Sequence, residues 1–215
     1  MKTRRKHPPA RRLQPRPFVL GLTGSVGMGK STAAKALKRL GIPVFSSDAA
    51  VHRLLGPGGG AVAAVTAAFP AAREGNAVSR PRLAKEVFGN PAALSRLEAI
   101  LHPLELEAAE RFVARARCAR KPIVALDVPL LYEAKRENRV HAVVAVTAPR
   151  FVQEARVLRR PGHTRARLDA ILARQLSDRE KRRRADFVVP TGLDKRASLR
   201  RLLRIVRMIE AKGDR

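Results

Sequence analysis

The chain has 215 residues, and its 45 Lys and Arg side chains against 18 Asp and Glu give a formal net charge of +27 at pH 7. This length suits one α/β domain with insertions, and no apolar run approaches the ~20 residues of a membrane-spanning helix. A single cysteine, Cys118, excludes a disulfide framework within one chain, which favours a reducing cytoplasm as the location.

Residues 1–16 form a distinct first segment, with seven basic side chains, three prolines and no acidic side chain. Such a composition buries too little apolar surface for a core and predicts a flexible basic arm. The segment lacks the apolar stretch of a secretory signal, and its prolines disfavour the amphipathic helix of a transit peptide. Residues 17–215 are therefore predicted to be the folded domain.

A phosphate-binding motif occupies residues 24–31, where Gly-Ser-Val-Gly-Met-Gly-Lys-Ser matches G-x-x-x-x-G-K-[ST]. An apolar run at 18–23 predicts a strand before it, and a helical pattern from Lys30 to Gly41 follows. This context disfavours the alternative, a Gly-rich turn that matches by chance. The glycines let backbone N–H groups face phosphates, Lys30 can reach the β- and γ-phosphates, and the Ser31 hydroxyl can bind Mg²⁺. The predicted ATP-binding residues are Gly24, Gly27, Met28, Gly29, Lys30, Ser31 and Thr32, with Mg²⁺ as cofactor.

Four more short apolar runs predict strands, at residues 42–45, 122–127, 140–146 and 185–189. None alternates strictly between apolar and polar residues, which is typical of strands buried on both faces of a parallel sheet. The helical pattern between the second and third strands is too long for a simple crossover. The sequence therefore predicts an α/β fold with a five-stranded parallel sheet and an inserted helical region, without giving the order of the strands.

Further motifs follow in a fixed order. They are Gly-Ile-Pro-Val-Phe-Ser-Ser-Asp at 41–48, Arg-Pro-Arg-Leu at 80–83, Leu-Glu-Ala-Ile-Leu-His-Pro at 97–103, Asp-Val-Pro-Leu-Leu-Tyr-Glu at 127–133, the spaced Gln153, Arg156 and Arg160, and Arg-Gln-Leu-Ser-Asp-Arg-Glu-Lys at 174–181. Each piece is weak alone, but with the phosphate loop the series closely resembles the dephospho-coenzyme A kinase family from about Phe18 to the C-terminal helix.

The resemblance implies an ATP-dependent kinase of the P-loop fold that phosphorylates the ribose 3′-hydroxyl of dephospho-CoA, the last step of coenzyme A biosynthesis. It implies a core at about 17–48, 120–150 and 184–215, a helical CoA-binding region at about 49–119 and a small helical lid at about 156–176. ATP and dephospho-CoA are the expected partners, and the oligomeric state is left open.

The resemblance also implies roles for individual residues. Lys30, Asp48 and Arg156 are the candidate catalytic residues, Arg160 and Pro190 join the ATP site, and Asp127 joins Ser31 at the metal. The candidate substrate-binding residues are Asp48, Arg80, His102, Leu130, Leu131 and Glu133. Relatives usually carry Asp-x-Asp where this chain has Ser46 and Asp48.

Several of these residues have a second interpretation from the sequence alone. Asp48 follows a strand at the ligand-binding edge and can act as a base, but it also suits a helix N-cap. His102, at the end of an apolar helical pattern, suits a structural hydrogen bond. Arg156 and Arg160 share one helical face, either solvated or carried by a lid that breaks at 161–164. Residues 181–184 are basic and predict a solvated face, with an RNA-binding patch as the alternative.

Two other functions compete with dephospho-CoA phosphorylation. The first is another small-molecule kinase, such as one for nucleosides or shikimate. The second is a basic nucleic-acid-binding P-loop protein that uses ATP for switching. The chain is only 4% aromatic and carries no recognisable nucleic-acid module, which disfavours base stacking and hence the second rival.

Overall fold

The computed structural model describes residues 16–192 and 194–213. The strands are β1 (Phe18–Thr23), β2 (Val44–Ser46), β3 (Arg73–Glu74), β4 (Ala77–Val78), β5 (Ile123–Asp127), β6 (Ala142–Thr147) and β7 (Phe187–Pro190). The α-helices are α1 (Lys30–Arg39), α2 (Ser47–Leu55), α3 (Val62–Ala68), α4 (Arg80–Val87), α5 (Pro91–Cys118), α6 (Arg150–Leu158), α7 (Arg165–Ala173), α8 (Asp178–Arg184) and α9 (Lys195–Gly213). Short 3₁₀ helices lie at Pro70–Ala72 and Glu137–Arg139. Of the predicted arm, only Arg16 is among the described residues.

Five strands form one parallel sheet in the order β2-β5-β1-β6-β7. Every residue of β5 and β6 is buried, so these strands are covered on both faces, as their uninterrupted apolar sequences predict. The predicted five-stranded parallel sheet is confirmed. Because parallel strands end at the same edge, the loops after β1, β2, β5, β6 and β7 all lie on one side of the molecule.

Several predicted boundaries are wrong, and three strands begin two residues later than predicted: β2 at Val44, β6 at Ala142 and β7 at Phe187. The second strand begins at Val44 rather than Ile42, because the Ile42 N–H donates to the Leu37 carbonyl and closes α1. The helix expected to end near His102 continues through Pro103 to Cys118. Proline removes one N–H from a helix, but the flanking turns of this 28-residue helix remain intact.

Buried side chains form three clusters. One cluster packs α1 and α9 against one face of the sheet, and the second packs α5 and the segment after β5 against the other face. The third lies within the inserted region and joins α2, α3, α4 and the first half of α5. The inserted region therefore has a core of its own beside the sheet.

The segment predicted to be a lid, at about 156–176, contains the last turn of α6, a break at residues 159–164, and α7. Gly162 lies in the break with φ of 71°, a conformation that glycine adopts without strain. Across the described residues, no helix combines the length and apolar character needed to cross a membrane.

Helix α9 offers a matched test of the first cluster, because Leu202 is 1% exposed and Leu199 is 42% exposed on the same helix. We expect Leu202→Ala to lower the free energy of unfolding by about 2–5 kcal/mol, since it removes buried methyl groups and leaves a cavity. Leu199→Ala is expected to cost less than about 1 kcal/mol. Urea unfolding of both variants measures the difference, and equal losses would contradict the packing described for α9.

Candidate active site

The phosphate loop between β1 and α1 leaves the N-terminus of α1 open. Gly29 is the N-cap residue, and the structure shows no side chain among the described residues that caps this helix. Gly27 and Gly29 have φ of 78° and 86°. A Cβ on Gly27 would lie 2.7 Å from Val157 Cγ2, and a Cβ on Gly29 would lie 2.6 Å from Thr191 Oγ1. Both conformation and packing therefore require glycine, and the first N–H groups of α1 are available to an anion.

Lys30 and Asp127 form an ion pair beneath the loop. Lys30 Nζ lies 2.5 Å from Asp127 Oδ1, and the two side chains are 13% and 10% exposed. Burial raises the pKa of the Asp127 carboxyl; the Lys30 ammonium opposes this effect, and the negative charge of Asp48 adds to it. The structure thus brings together three predicted site residues from the ends of three different elements.

Asp48 lies in the first turn of α2 and is exposed. The N-cap of that helix is Ser46, whose Oγ accepts a hydrogen bond from the Ala49 N–H at 3.3 Å. The alternative that Asp48 is the N-cap is therefore wrong. Ser46 is also the register partner of Asp127 in the β2–β5 ladder, so it keeps the beginning of α2 beside the ion pair.

The peptide groups of the phosphate loop are held by two glutamines. Gln153, which is 2% exposed, donates from Nε2 to the Val26 carbonyl at 2.8 Å. Gln175 accepts from the Val26 N–H with its Oε1, at 3.4 Å. Gln153 lies on α6 before the predicted lid at about 156–176, and Gln175 follows α7 near the end of that segment, so residues on both sides of the break at 159–164 contact the same loop residue.

A second set of contacts joins the loop to residues after β7. Thr191 Oγ1 donates to the Met28 carbonyl at 2.5 Å. Arg156 Nη2 donates to the Thr191 carbonyl at 2.6 Å, and its Nη1 donates to the Gly27 carbonyl at 3.4 Å. The Arg156 guanidinium therefore lies against the phosphate loop rather than on a solvated helix face.

Met28 has a structural position in the loop. Its side chain is 3% exposed, its Sδ accepts from the Ala148 N–H at 3.0 Å, and its own N–H donates to the Ser25 carbonyl at 3.1 Å. Met28 was predicted to bind ATP with the rest of the loop. The structure instead directs its N–H and its side chain into the protein.

A cavity of about 470 Å³ opens beside Asp48. Its walls come from α2, α5, the segment after β5 and the end of the lid; among the lining residues are Asp48, His102, Leu130, Glu133, Arg174 and Gln175. His102 is exposed on this wall of α5. The structure therefore gathers four of the predicted substrate-binding residues around one space next to the phosphate loop.

The floor of the cavity contains a buried carboxylate. Glu105 is 3% exposed; its Oε1 accepts a hydrogen bond from Ser47 Oγ, and its Oε2 pairs with Arg136 Nη1. Ser47 immediately precedes Asp48, so this network fixes the backbone that carries the candidate base. The sequence pattern of α5 does not distinguish Glu105 from the exposed glutamates of the same helix. The role of Glu105 was therefore not predicted.

Two predicted substrate contacts lie elsewhere. Leu131 is fully buried in the second cluster, where a Cβ on Gly21 would lie 2.8 Å from its Cδ1; it is a core residue, whereas Leu130 is 38% exposed. Arg80 begins α4, and its Nη1 lies 3.1 Å from His52 Nδ1 on the exposed surface.

The other predicted ATP contacts are at the rim of the site. Thr32 and Ser31 are exposed in the first turn of α1, and Arg160 is exposed after α6. Pro190 is exposed at the end of β7, where its carbonyl accepts from Ser198 Oγ at 2.6 Å.

The predicted solvated face at residues 181–184 is wrong at its first residue. Lys181 is 1% exposed, whereas Arg182, Arg183 and Arg184 are exposed. The Lys181 ammonium lies 2.9 Å from Glu133 Oε1. A basic run looks uniform in sequence, and only the packing of α8 identifies the buried member.

The oxygen atoms at the site suit magnesium. No three or more His, Cys, Asp or Glu side chains within the described part of the chain are grouped to hold a metal by themselves. The Ser31 hydroxyl and the carboxylates of Asp127 and Asp48 offer only hard oxygen donors. Mg²⁺ typically binds one or two carboxylates together with substrate phosphates and water, so these residues fit that ion.

Comparison with known proteins identifies the family. A family model described as dephospho-CoA kinase matches residues 18–194. The chain belongs to the dephospho-CoA kinase family. A dephospho-CoA kinase of Paramagnetospirillum magneticum is 58% identical over 164 residues, covering 76% of this chain and 77% of the relative. One of Rhodospirillum rubrum is 52% identical over 188 residues, covering 86% and 88%.

Solved structures agree with this fold. TT1252 from Thermus thermophilus superposes with a TM-score of 0.81 and 33% identity, covering 90% of this chain and 98% of that one. A dephospho-CoA kinase from Campylobacter jejuni superposes with a TM-score of 0.62 and 21% identity, covering 91% of this chain and 98% of that one. A shikimate kinase from Acinetobacter baumannii superposes with a TM-score of 0.51 and 17% identity, covering 91% of this chain and 94% of that one. The last two show that the α/β fold of this chain resembles that of small-molecule kinases.

The raised pKa of Asp127 predicts a pH dependence of stability in this dephospho-CoA kinase family member without nucleotide or metal. A carboxyl whose folded pKa is above its ordinary value of 3.8 favours folding when protonated. Its contribution is full below that value and is lost as pH rises through the folded pKa.

We therefore expect the stability of the wild type relative to Asp127→Asn to fall as pH rises from about 4 toward neutrality. Urea unfolding of both proteins in EDTA at a series of pH values measures this difference. A difference that grows in favour of the wild type with rising pH would show that the Lys30 pair outweighs burial.

Proposed function

We propose that the chain transfers the γ-phosphoryl group of ATP to the ribose 3′-hydroxyl of dephospho-CoA. The observation that carries this proposal is the placement of Asp48 between the phosphate loop and a cavity lined by α2, α5 and the lid, in a member of the dephospho-CoA kinase family. The inserted helical region, residues 49–119, is proposed to bind the acceptor, and the cytoplasm is the proposed location.

Phosphate binding is proposed to exchange the partner of Lys30. In the structure its ammonium pairs with Asp127, and the β- and γ-phosphate oxygens of ATP offer it a stronger set of acceptors. The loop N–H groups and the open N-terminus of α1 hold the remaining charge. Phosphoryl transfer requires little covalent chemistry from a protein, so this electrostatic positioning is the main contribution of the loop.

The metal site is proposed to consist of Ser31 and Asp127, with Asp48 at its edge. Mg²⁺ when bound neutralises charge on the transferring phosphate. In this proposal the Ser31 hydroxyl would bind the ion directly, and Asp127 would hold a water molecule bound to it. Release of Lys30 toward ATP leaves the Asp127 carboxylate available for this role.

Asp48 is proposed as the general base. Its exposed carboxylate faces the cavity and can accept the proton of the acceptor hydroxyl as the oxygen attacks phosphorus. Arg156, already bonded to the phosphate loop, is placed to meet charge on the transferring group. Arg160 and Pro190 are proposed to complete the ATP site at its rim.

The function is tested by offering ATP with dephospho-CoA, adenosine, shikimate or RNA in separate reactions. We expect ADP formation above background with dephospho-CoA alone, with coenzyme A identified as the product by mass. Lys30→Ala, expected to lose orders of magnitude in turnover, excludes a contaminating kinase. ADP formation driven by shikimate, adenosine or RNA instead would overturn the proposal in favour of that acceptor.

Asp48→Asn separates the proposed base from a structural role. Because Ser46 caps α2, this substitution removes only a favourable charge in the first turn, worth about 0.3–1 kcal/mol. The amide cannot accept a proton, and a general base typically contributes ~10²–10⁴-fold. We expect a folded protein that binds ATP normally but has a kcat lower by that factor. Ser46→Ala is the matched control: it should cost about 1 kcal/mol in stability with a much smaller loss of kcat.

The boundary of the catalytic domain is proposed to lie at Pro17. We expect a protein that begins at this residue to retain its unfolding midpoint and its kcat, because β1 begins at Phe18 and the resemblance to the family begins there. Binding to nucleic acid at low salt should weaken, since fewer cations are released from phosphates. Loss of kinase activity would place the first sixteen residues in the catalytic domain.

A further inference from the structure

Lys181 is the most deeply buried charged side chain in the described part of the molecule, and the proposed mechanism does not use it. Its side chain is 1% exposed, and its ammonium lies 2.9 Å from Glu133 Oε1. It also donates to the Pro129 carbonyl at 3.4 Å. Removing an ammonium from water costs several kcal/mol that a single carboxylate seldom returns in full, so stability alone is a poor explanation for this pair.

The partners of Lys181 belong to one wall of the acceptor cavity. Pro129, Leu130, Glu133 and Ala134 all line that space. The Pro129 carbonyl accepts a second hydrogen bond, from Thr23 Oγ1 at the end of β1. This wall is therefore attached to the sheet by one contact, from Thr23, and to α8 by the two contacts of Lys181.

The same carboxylate reaches the base of the lid. Glu133 Oε1 accepts from the Leu176 N–H at 2.8 Å, and Leu176 directly follows Arg174 and Gln175, which also line the cavity. Helix α8 is itself attached to the sheet, because Thr147 Oγ1 donates to Asp178 Oδ2 at 2.7 Å. Lys181 thus projects from a fixed helix to a carboxylate shared by the wall and the lid.

We propose that Lys181 is a positioning residue for the acceptor substrate, which acts through Glu133 to set the distance between the cavity wall at 129–134 and the lid residues Arg174 and Gln175. This inference rests on the proposed function. Lys181 itself is not among the residues that line the cavity, and its ion pair and hydrogen bond are with Glu133 and Pro129 rather than with the phosphate loop. Its removal therefore affects acceptor binding far more than ATP binding to the open enzyme, because the Val26 carbonyl keeps its hydrogen bond to Gln153 if Gln175 moves.

The test uses Lys181→Met, which removes the charge and shortens the unbranched side chain by one atom, and Glu133→Gln/Lys181→Met, which leaves no buried charge without a partner. We expect the KM for dephospho-CoA to rise with kcat/KM falling about 10–100-fold, the effect of a small misplacement of a substrate. The Kd of ATP, measured by direct titration, should stay within twofold. Arg182→Met, which removes an exposed cation from the next position of α8, should match the wild type in both quantities.

A structural role alone would give a different result. The double variant replaces a buried ion pair by neutral groups, an exchange that often preserves stability, so its urea midpoint should equal or exceed that of Lys181→Met while its acceptor KM stays high. The proposal is overturned if the folded double variant has a wild-type acceptor KM, or if acceptor KM and ATP Kd rise together. If Lys181 acts through Glu133, Lys181→Met should have little further effect in a protein that already carries Glu133→Gln, because the effects of coupled residues do not add. The proposal is therefore also overturned if Lys181→Met raises the acceptor KM by the same factor in the wild type and in Glu133→Gln.

Wild-type activity distinguishes failure of this inference from failure of the proposed function. If the wild type is active and the Lys181 variants have the same acceptor KM as the wild type, only the positioning role is contradicted. A wild type that does not phosphorylate dephospho-CoA contradicts the function on which the inference rests.

Discussion

The parallel pairing of β1 with both β5 and β6 determines where every polar group of the site lies. Leu22 is opposite Asp127 in one ladder, and Thr23 is opposite Ala145 in the other. The phosphate loop, the Asp127 carboxylate and the segment after β6 therefore leave the sheet at the same edge and at the same height. A shift of one residue between β1 and β5 would turn the Asp127 side chain to the opposite face of the sheet, away from Lys30.

Two lysines that form ion pairs show how this fold uses charge. Lys30 is partly buried and pairs with Asp127, whereas Lys181 is fully buried and pairs with Glu133. The partner of Lys30 lies at the end of β5, and ATP is the proposed replacement for it. The partner of Lys181 lies in a cavity wall, so its ion pair joins two segments that the sheet does not join directly. The two ion pairs thus differ both in burial and in the segments that they connect.

Much of the core and of the phosphate site follows from the sequence, because both depend on local patterns. The apolar runs predict all five strands of the sheet, and the glycine spacing before Lys30 predicts the open helix end. These local patterns do not show where a residue lies relative to segments that are distant in the sequence. Leu130 and Leu131 are adjacent and chemically identical, yet one is exposed beside the cavity and the other is packed under Gly21. Pro103 reads as the end of a helix, but tertiary packing on both sides continues α5 through it.

The same limit applies to the polar residues. Ser46 and Asp48 both suit an N-cap, and only the backbone conformation at Ser46, with φ of −113° and ψ of 116°, assigns the cap to the serine. Glu105 and Lys181 lie in charged helical stretches whose neighbours are solvated. Their burial depends on which face of the helix packs against the sheet or the cavity, and the neighbouring residues in the sequence do not specify that face.

The two glutamines at Val26 have a consequence for the energetics of nucleotide binding. A glycine-rich loop loses more backbone entropy on ordering than other segments do, and this cost would weaken affinity if it arose only when ATP arrived. With the Val26 peptide group bonded on its carbonyl side to Gln153 and on its N–H side to Gln175, that ordering is completed during folding. An anion therefore meets a loop whose backbone is already ordered, held by one side chain from the helix before the break at 159–164 and by one from the segment after it.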